Sequence, residues 1–452
     1  MKSSVALFIK DEVSDIIGWV SWYVNLGFDK IFIYDDHSKD GTFEILNILS
    51  KKYPIELFRT DLKGSINFFY RQKDSYLDAL HRSKGIYDWV FLADGDEYLF
   101  LSEDENVNEF LSFYSEADAI AINWCIFGSS GKALKERDPI PFTYLHRALE
   151  DFGVNRLVKS FVRPGALVDT YTDPHRYPVS PEKYFDTHGR EIRDWVGATK
   201  PVTWHKARVN HYICRSMEHY IGRVRRRLNV DIENSDQGWN DYNKNDIFDD
   251  SSKKYLLNTL KIFDDMRYIV FSEMKEKLNF SFRDEIEKEN NIKNIKVFSI
   301  INHNNKIVFS DTSTGYLKGI EEGERVLFCV DIETGIGQFF TYSNSICRIQ
   351  KDDRLNVFAF YEMVNFEDGI SLKNIKSGLF LISIPSEIDP MAFLEASRTN
   401  ASSLEKFHIK EVSENTEFIK FSFLENIIFS KKISNKLNEY NSIGIELFNN
   451  FI

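Results

Sequence analysis

Cysteine is scarce in this 452-residue chain: Cys125, Cys214, Cys329 and Cys347 lie far apart and form no Cys-x-x-Cys pair. That excludes a zinc ribbon or a dithiol redox motif and points to a reducing compartment, the cytoplasm. No apolar run reaches the ~18 residues of a membrane span. Membrane contact would have to come through a partner or a small surface patch at the inner face. The first residues carry one lysine and enter an apolar run by residue 5, without the charged, apolar and cleavage regions of a signal peptide. Basic charge is also short: 57 Lys and Arg against 69 Asp and Glu leave a net charge of −12. Nucleic-acid binding is not expected, since its footprint is basic, and neither is a general attraction to anionic lipid.

What is present is ordinary globular material. Hydrophobic residues make up 43% and charged residues 28%, in the range of packed domains. Aromatics are high at 15%, with 38 Phe and 21 Tyr, which serves large cores first. The length predicts two domains.

Three short apolar runs each end in charged residues. Val5-Ala6-Leu7-Phe8-Ile9 runs into Lys10-Asp11-Glu12. Lys30-Ile31-Phe32-Ile33-Tyr34 runs into Asp35-Asp36-His37-Ser38-Lys39-Asp40-Gly41-Thr42. Trp89-Val90-Phe91-Leu92-Ala93 runs into Asp94-Gly95-Asp96-Glu97. Helical patterns lie between them, which is the alternation of a parallel α/β sheet with its polar site along one edge. Ligands bind outside the carboxyl ends of such strands. Asp94 and Asp96 held close there would repel unless a cation sat between them, and oxygen ligands suit Mg²⁺ or Mn²⁺. Glu97 in extended chain would turn to the other face and anchor the turn.

These three motifs together resemble the donor-binding half of family-2-like glycosyltransferases with the A-type, Rossmann-like fold. The likeness continues through Asn123-Trp124-Cys125-Ile126-Phe127-Gly128-Ser129-Ser130-Gly131, Asn210-His211-Tyr212 and Ser216-x-Glu218, a subgroup related to the family-92 enzymes, over roughly residues 4 to 230. The resemblance implies a nucleotide-diphospho-sugar donor, UDP-sugar favoured, lying along Lys10, Asp11, Glu12, Asp35, Asp36, Arg71, Gln72 and Asp94. It implies a metal on Asp94 and Asp96, with His211 as a later ligand, and a saccharide acceptor. Trp124 and the Ser129–Ser130 turn resemble an acceptor-side loop. Inversion is expected of such enzymes, in surface polysaccharide or glycolipid synthesis. An inverting transferase needs a carboxylate base, and Glu218 is the first candidate, Asp194 the second. Arg215, Arg223, Arg225, Arg226 and Arg227 could meet phosphates, but Arg225 to Arg227 cannot share one helix face. A nucleotidyltransferase is the rival enzyme, though Lys10-Asp11-Glu12 lacks its Gly-rich phosphate loop. The rival non-enzyme is an inactive carbohydrate-binding protein.

Along the chain, residues 1–250 read as the α/β domain, 251–295 as a helix and a charged linker, and 296–452 as β-rich. Residues 124–212 look irregular, with seven of the chain's 10 prolines, and residues 234–250 look like a loop. Asp40 reads as the N-cap of the helix from Thr42. In the β-rich part, Lys296 to Tyr342 and Gly369 to Val412 look like repeats, with a degenerate third from Phe418 to Phe448. Such repeats resemble a fascin-like β-trefoil, with a β-sandwich as the alternative.

Overall fold

The structure, a computed structural model, describes residues 1–64, 67–167, 174–193, 195–227, 235–277, 294–312, 314–319, 322–343, 347–350, 352, 359–385, 388, 392–413 and 416–437. The chain divides into two compact units, Met1–Met266 and Arg267–Ile452. The division falls inside a helix, Leu256–Lys277, rather than at residue 250 or 295. Most of the charged linker stretch, 283–293, lies outside the described residues. Among the described residues, no helix is long and apolar enough to cross a membrane.

The first unit is built on strands β1 (Ser3–Ile9), β2 (Lys30–Asp35), β3 (Ile55–Arg59), β4 (Trp89–Ala93), β5 (Glu97–Leu101) and β6 (Ala119–Ile126). A short β7 (His146–Arg147) leads to β8 (Val158–Val162), β9 (Tyr184–Asp186) and β10 (Ala207–His211), and β11 (Ile247–Phe248) pairs with β7. The main sheet runs β3-β2-β1-β4-β8-β6-β10-β5, with β9 on β6. Its first four strands are parallel. β1 and β4 are buried along their whole length, which is why they read as unbroken apolar runs. Between them lie helices α1 (Ile16–Asn25), α2 (Thr42–Leu49) and α3 (Phe68–Ser83). α1 buries Trp19, Trp22 and Tyr23 almost completely, and α3 starts where Asn67 Oδ1 accepts the Phe69 N–H. The cap at α2 is Gly41, at φ 104°, rather than Asp40. Asp40 instead accepts from the Val13 and Thr42 backbones.

The second half of this sheet departs from the parallel reading. β8 lies antiparallel to both β4 and β6, and β10 antiparallel to β5. β8 comes from the stretch read as irregular. Lys159 and Ser160 interrupt its five residues, so no period shows in so short a run. The stretch read as a loop over 234–250 contains the helix Ser235–Tyr242 and β11.

Among the described residues, the second unit is built mainly of β-strands, with the end of the Leu256–Lys277 helix and one later long helix. Its strands are β12 (Ile295–Asn302), β13 (Val308–Ser310), β14 (Leu317–Gly319), β15 (Glu324–Asp331), β16 (Ile336–Thr341), β17 (Tyr361–Phe366), β18 (Gly369–Asn374), β19 (Phe380–Ser383), β20 (Leu394–Arg398) and β21 (Phe407–Glu411). Antiparallel pairing runs β12-β15-β16-β17-β18-β21 and back to β12. The six strands therefore form a closed ring, which leaves no free edge among them. Inside lie Ile300, Phe328, Phe339, Tyr361, Leu372 and Phe407. Hairpins β13–β14 and β19–β20 extend from the ring. The third repeat expected from Phe418 is a helix instead, Glu417–Leu437. Ile419, Phe423, Leu424 and Ile428 bury one of its faces, a helical spacing rather than an alternating one. Residues 438–452 lie outside the described residues.

Candidate active site

The polar residues ending β1, β2 and β4 meet at one edge of the sheet, as their position in a parallel sheet requires. The chain leaves β1 through Asp11, at φ 52°. The Asp11 amide donates to Ser38 Oγ, and its carboxylate accepts the Lys39 N–H. The Glu12 amide donates to Thr42 Oγ1. These bonds tie the first turn to the second. Asp35 is fully buried and accepts from Arg59 Nη1 at 2.7 Å and from the Ser38 amide. Burial pushes its carboxyl up against the pull of Ser38 and Arg59.

Asp36 is also fully buried. Its Oδ1 and Oδ2 accept from Arg71 Nε and Nη2 at 2.6 and 2.8 Å, a bidentate fork. Thr60 Oγ1 donates to Oδ1 at 2.6 Å, and Lys10 Nζ lies 3.4 Å from Oδ2. A carboxylate offers about four lone-pair sites, and these partners fill them. Asp36 therefore organises Arg71 and Lys10 rather than offering a free acceptor to a nucleoside. Burial works against its charge, but Arg71, Thr60 and Lys10 outweigh it and hold the carboxyl down at about 2.

That shift has a testable sign. A carboxyl lowered from 3.8 to about 2 stabilises the fold above its ordinary range, and the contribution is lost as pH falls toward the folded value. Asp36→Asn should cost roughly 2 kcal/mol at neutral pH. The gap to the natural chain should close between about pH 4 and pH 2, read from urea unfolding at each pH. A gap that stays constant with pH would remove the Arg71 fork as its cause.

After β4, Asp94 Oδ1 accepts from Gln72 Nε2 and the Tyr76 hydroxyl, both at 2.9 Å. Lys159 Nζ, on β8, lies 2.8 Å from Asp94 Oδ2 and 3.3 Å from Glu97 Oε2. The Lys159 side chain is only 1% exposed. Glu97 Oε2 also accepts the Asp94 N–H, so Glu97 does anchor the turn. Burial pushes the Glu97 carboxyl up to about 7, with Lys159 opposing. Asp96 Oδ2 accepts from Arg223 Nη1 at 2.9 Å, and its Oδ1 lies 3.4 Å from His211 Nε2. Burial alone would raise both aspartates. Lys159 holds Asp94 below its ordinary value, and His211 and Arg223 hold Asp96 well below the usual carboxylate range. The repulsion inferred from sequence is thus already relieved by the protein's own cations.

Arg215 is a further cation at this edge. From the turn that leads into α4 (Met217–Arg227), it donates to Glu12 Oε2 at 2.7 Å, Asp15 Oδ2 at 2.5 Å and the Gly95 carbonyl at 3.2 Å. One buried guanidinium so ties the turn after β1 to the Asp94–Asp96 turn. Glu12, Asp15 and His219 could otherwise group around an ion, but Arg215 bridges their carboxylates.

Arg71 lies beside Asp36, Gln72 beside Asp94 and His211 beside Asp96. The acceptor-side residues are more mixed. Trp124 is 8% exposed and packs edge-on against His211, ring centroids 4.2 Å apart. Ser129 is buried, and its amide donates to Asn243 Oδ1. Ser130 Oγ accepts the Leu145 and His146 amides, which staples its loop. Glu218 lies exposed in the first turn of α4, and its Oε2 accepts the Lys135 N–H. Asp194 lies outside the described residues.

Sequence reasoning missed Lys159, Tyr76 and Thr60, and it gave Arg215 and Arg223 no fixed partner. For Lys159 a signal existed: a lysine in the middle of Val158-Lys159-Ser160-Phe161-Val162 needs a buried counter-charge. Thr60 and Tyr76 carry no such mark.

Residues 4–263 match glycosyltransferase family 92. The chain belongs to glycosyltransferase family 92. A family-92 protein of Oryza sativa subsp. japonica is 25% identical over 167 residues, which is 36% of this chain and 27% of that protein. The chain thus spans only about a quarter of that relative's length. Among solved structures, S. aureus TarS 1–349 is 13% identical, covering 59% of this chain and 81% of its own, at a TM-score of 0.26. The designed three-fold symmetric protein ThreeFoil is 12% identical, covering 26% of this chain and 99% of its own, at a TM-score of 0.21. The fold of this family-92 chain rests on its strand order and the family match.

Proposed function

We propose that this family-92 chain transfers a sugar from a nucleotide-diphospho-sugar, a UDP-sugar first, to a saccharide hydroxyl with inversion, in surface polysaccharide or glycolipid synthesis. The observation that carries the reading is the meeting of Lys10, Asp36 and Arg71 with Gln72, Asp94, Asp96 and His211 at the ends of β1, β2 and β4. Cations and carboxylates alternate there, as a diphosphate with a divalent ion requires.

Asp94, Asp96 and His211 would hold Mn²⁺ or Mg²⁺. Two oxygens and one imidazole suit Mn²⁺ well. Asp96 Oδ1 and His211 Nε2 already converge to 3.4 Å, and the Asp94 side chain keeps 32% exposure. When bound, the ion supplies positive charge to the leaving diphosphate. Lys10, 40% exposed and steadied by Asp36, is proposed to face the donor, and Trp124 to hold the floor under His211. The acceptor hydroxyl attacks the anomeric carbon, the bond to the diphosphate breaks, and a carboxylate takes the proton. Glu218 is proposed for that role because it is exposed and only its Oε2 is engaged among the described residues; Asp194 is the second candidate. For the second unit we propose a β-trefoil, supported by the six-strand ring and its hairpins, as a module that helps select the acceptor. A reducing compartment, the cytoplasm, is proposed from four free, buried cysteines.

The test is a panel of nucleotide-sugars incubated with the full chain and Mn²⁺ or Mg²⁺, scored for released nucleoside diphosphate. At least one UDP-sugar should release UDP, faster with metal and with saccharide present. Pyrophosphate released from a nucleoside triphosphate and a sugar phosphate in a parallel incubation, with no nucleoside diphosphate from any nucleotide-sugar, would mean a nucleotidyltransferase. Binding without any release would mean an inactive carbohydrate-binding protein.

A further inference from the structure

The strand-end cations are not equally committed. Lys159 is buried between Asp94 and Glu97. Arg215 is buried among Glu12, Asp15 and the Gly95 carbonyl. Lys10 is partly exposed but rests on Asp36, which is no ion ligand in the reading above. Arg223 differs from all three. Its Nη1 alone makes its bonds, to Asp96 Oδ2 at 2.9 Å and to the Ile213 carbonyl at 3.0 Å. Nε and Nη2 have no hydrogen-bond partner among the described residues. The side chain is 20% exposed and sits on α4, outside the sheet.

Arg223 therefore holds one oxygen of the very carboxylate assigned to the ion, with the rest of its fork uncommitted. A guanidinium and a divalent ion on the same carboxylate repel each other strongly at that distance. The arriving ion weakens the hold of Asp96 on Arg223. A freed guanidinium needs an anion, and its planar fork matches phosphate oxygens. We propose that Arg223 exchanges partners, resting on Asp96 in the free chain and moving to the donor's diphosphate when ion and donor bind. This rests on the donor reading above and adds a residue that touches the leaving group.

The exchange predicts effects of opposite sign. Titration calorimetry with Mn²⁺ alone, and with UDP at saturating Mn²⁺, reads them directly on the full chain. In Arg223→Ala, Mn²⁺ alone should bind several-fold tighter, because its competitor for Asp96 is gone. UDP should bind at least about tenfold weaker, the worth of one charge-assisted phosphate contact. Arg223→Lys should keep Mn²⁺ affinity near that of the natural chain and lose part of the UDP affinity, since the charge stays and the fork goes. It also serves if the alanine variant does not fold. Weakening of both ligands together would make Arg223 a merely structural partner of Asp96 and overturn the exchange. Unchanged UDP affinity in both variants would remove it from the diphosphate. If the natural chain binds neither Mn²⁺ nor UDP, the donor reading itself falls, and the exchange with it.

Discussion

Replacing Lys159 with methionine should cost about 3–5 kcal/mol of stability at neutral pH, the range seen when one partner of a buried ion pair is removed. Methionine keeps most of the apolar stem and removes the charge. The ammonium lies within 3.3 Å of both Asp94 and Glu97, and the side chain is 1% exposed. Without it the fully buried Glu97 loses its counter-charge, and the partly exposed Asp94 beside it loses one of its partners. Urea unfolding reads the loss. Adding Glu97→Gln to Lys159→Met should recover part of it, because one of the stranded charges is then neutral. A loss below about 1 kcal/mol, within the range of an exposed pair, would mean that other groups balance these carboxylates. The same site sets a pH slope in the natural chain. Glu97 is raised from 4.5 to about 7, so its contribution is full below its ordinary value and is lost as pH rises through the folded one. Stability should therefore decline from about pH 5 to pH 8 on account of this group, and Glu97→Gln should flatten that decline.

Asp96→Asn and Asp94→Asn should each lower metal-dependent UDP affinity by about 100-fold or more, since even outer partners of metal ligands cost 10–100-fold. Asparagine keeps the shape and one acceptor oxygen, so Arg223 on Asp96 and Gln72 on Asp94 retain a partner. The loss should accordingly appear in binding more than in folding. Calorimetry with UDP, with and without Mn²⁺, separates the two, and circular dichroism checks the fold. UDP affinity that persists in both variants, or is independent of the ion in the natural chain, would end the metal assignment. Asp96 is expected to show the larger effect. It loses its charge beside His211 and Arg223, whereas Asp94 is also held by Lys159 and by the neutral donors Gln72 and Tyr76.

Much of the first unit was legible before any coordinates. β1, β2 and β4 are buried on both faces, so each had to be an unbroken apolar run, and the residue that ends such a run is the one that meets water. Lys10, Asp36 and Asp94 could therefore be placed at one edge from local pattern alone. The partners could not. Lys159 reaches Asp94 across 65 positions and Arg223 reaches Asp96 across 127, and neither spacing leaves a local trace. The charge of Asp36 shows in the sequence, while its pairing with Arg71, Thr60 and Lys10 does not.

The second unit divides the same way. Its short alternating runs showed strands, because the side-chain period of a strand is local. The ring β12-β15-β16-β17-β18-β21 depends on pairings between distant strands, which only a closed structure selects. The helix at Glu417–Leu437 was misread although its buried Ile419, Phe423 and Ile428 stand at helical spacing. Phenylalanines and isoleucines there favour strand by propensity, and packing overrode it. What the sequence by itself determined was the set of chemical groups at the strand ends and the burial that puts them there. The tertiary structure alone decided which of those charges are already paired and which, like Arg223, keep donors to spare. Pairing depends on distances between residues that the chain order leaves open.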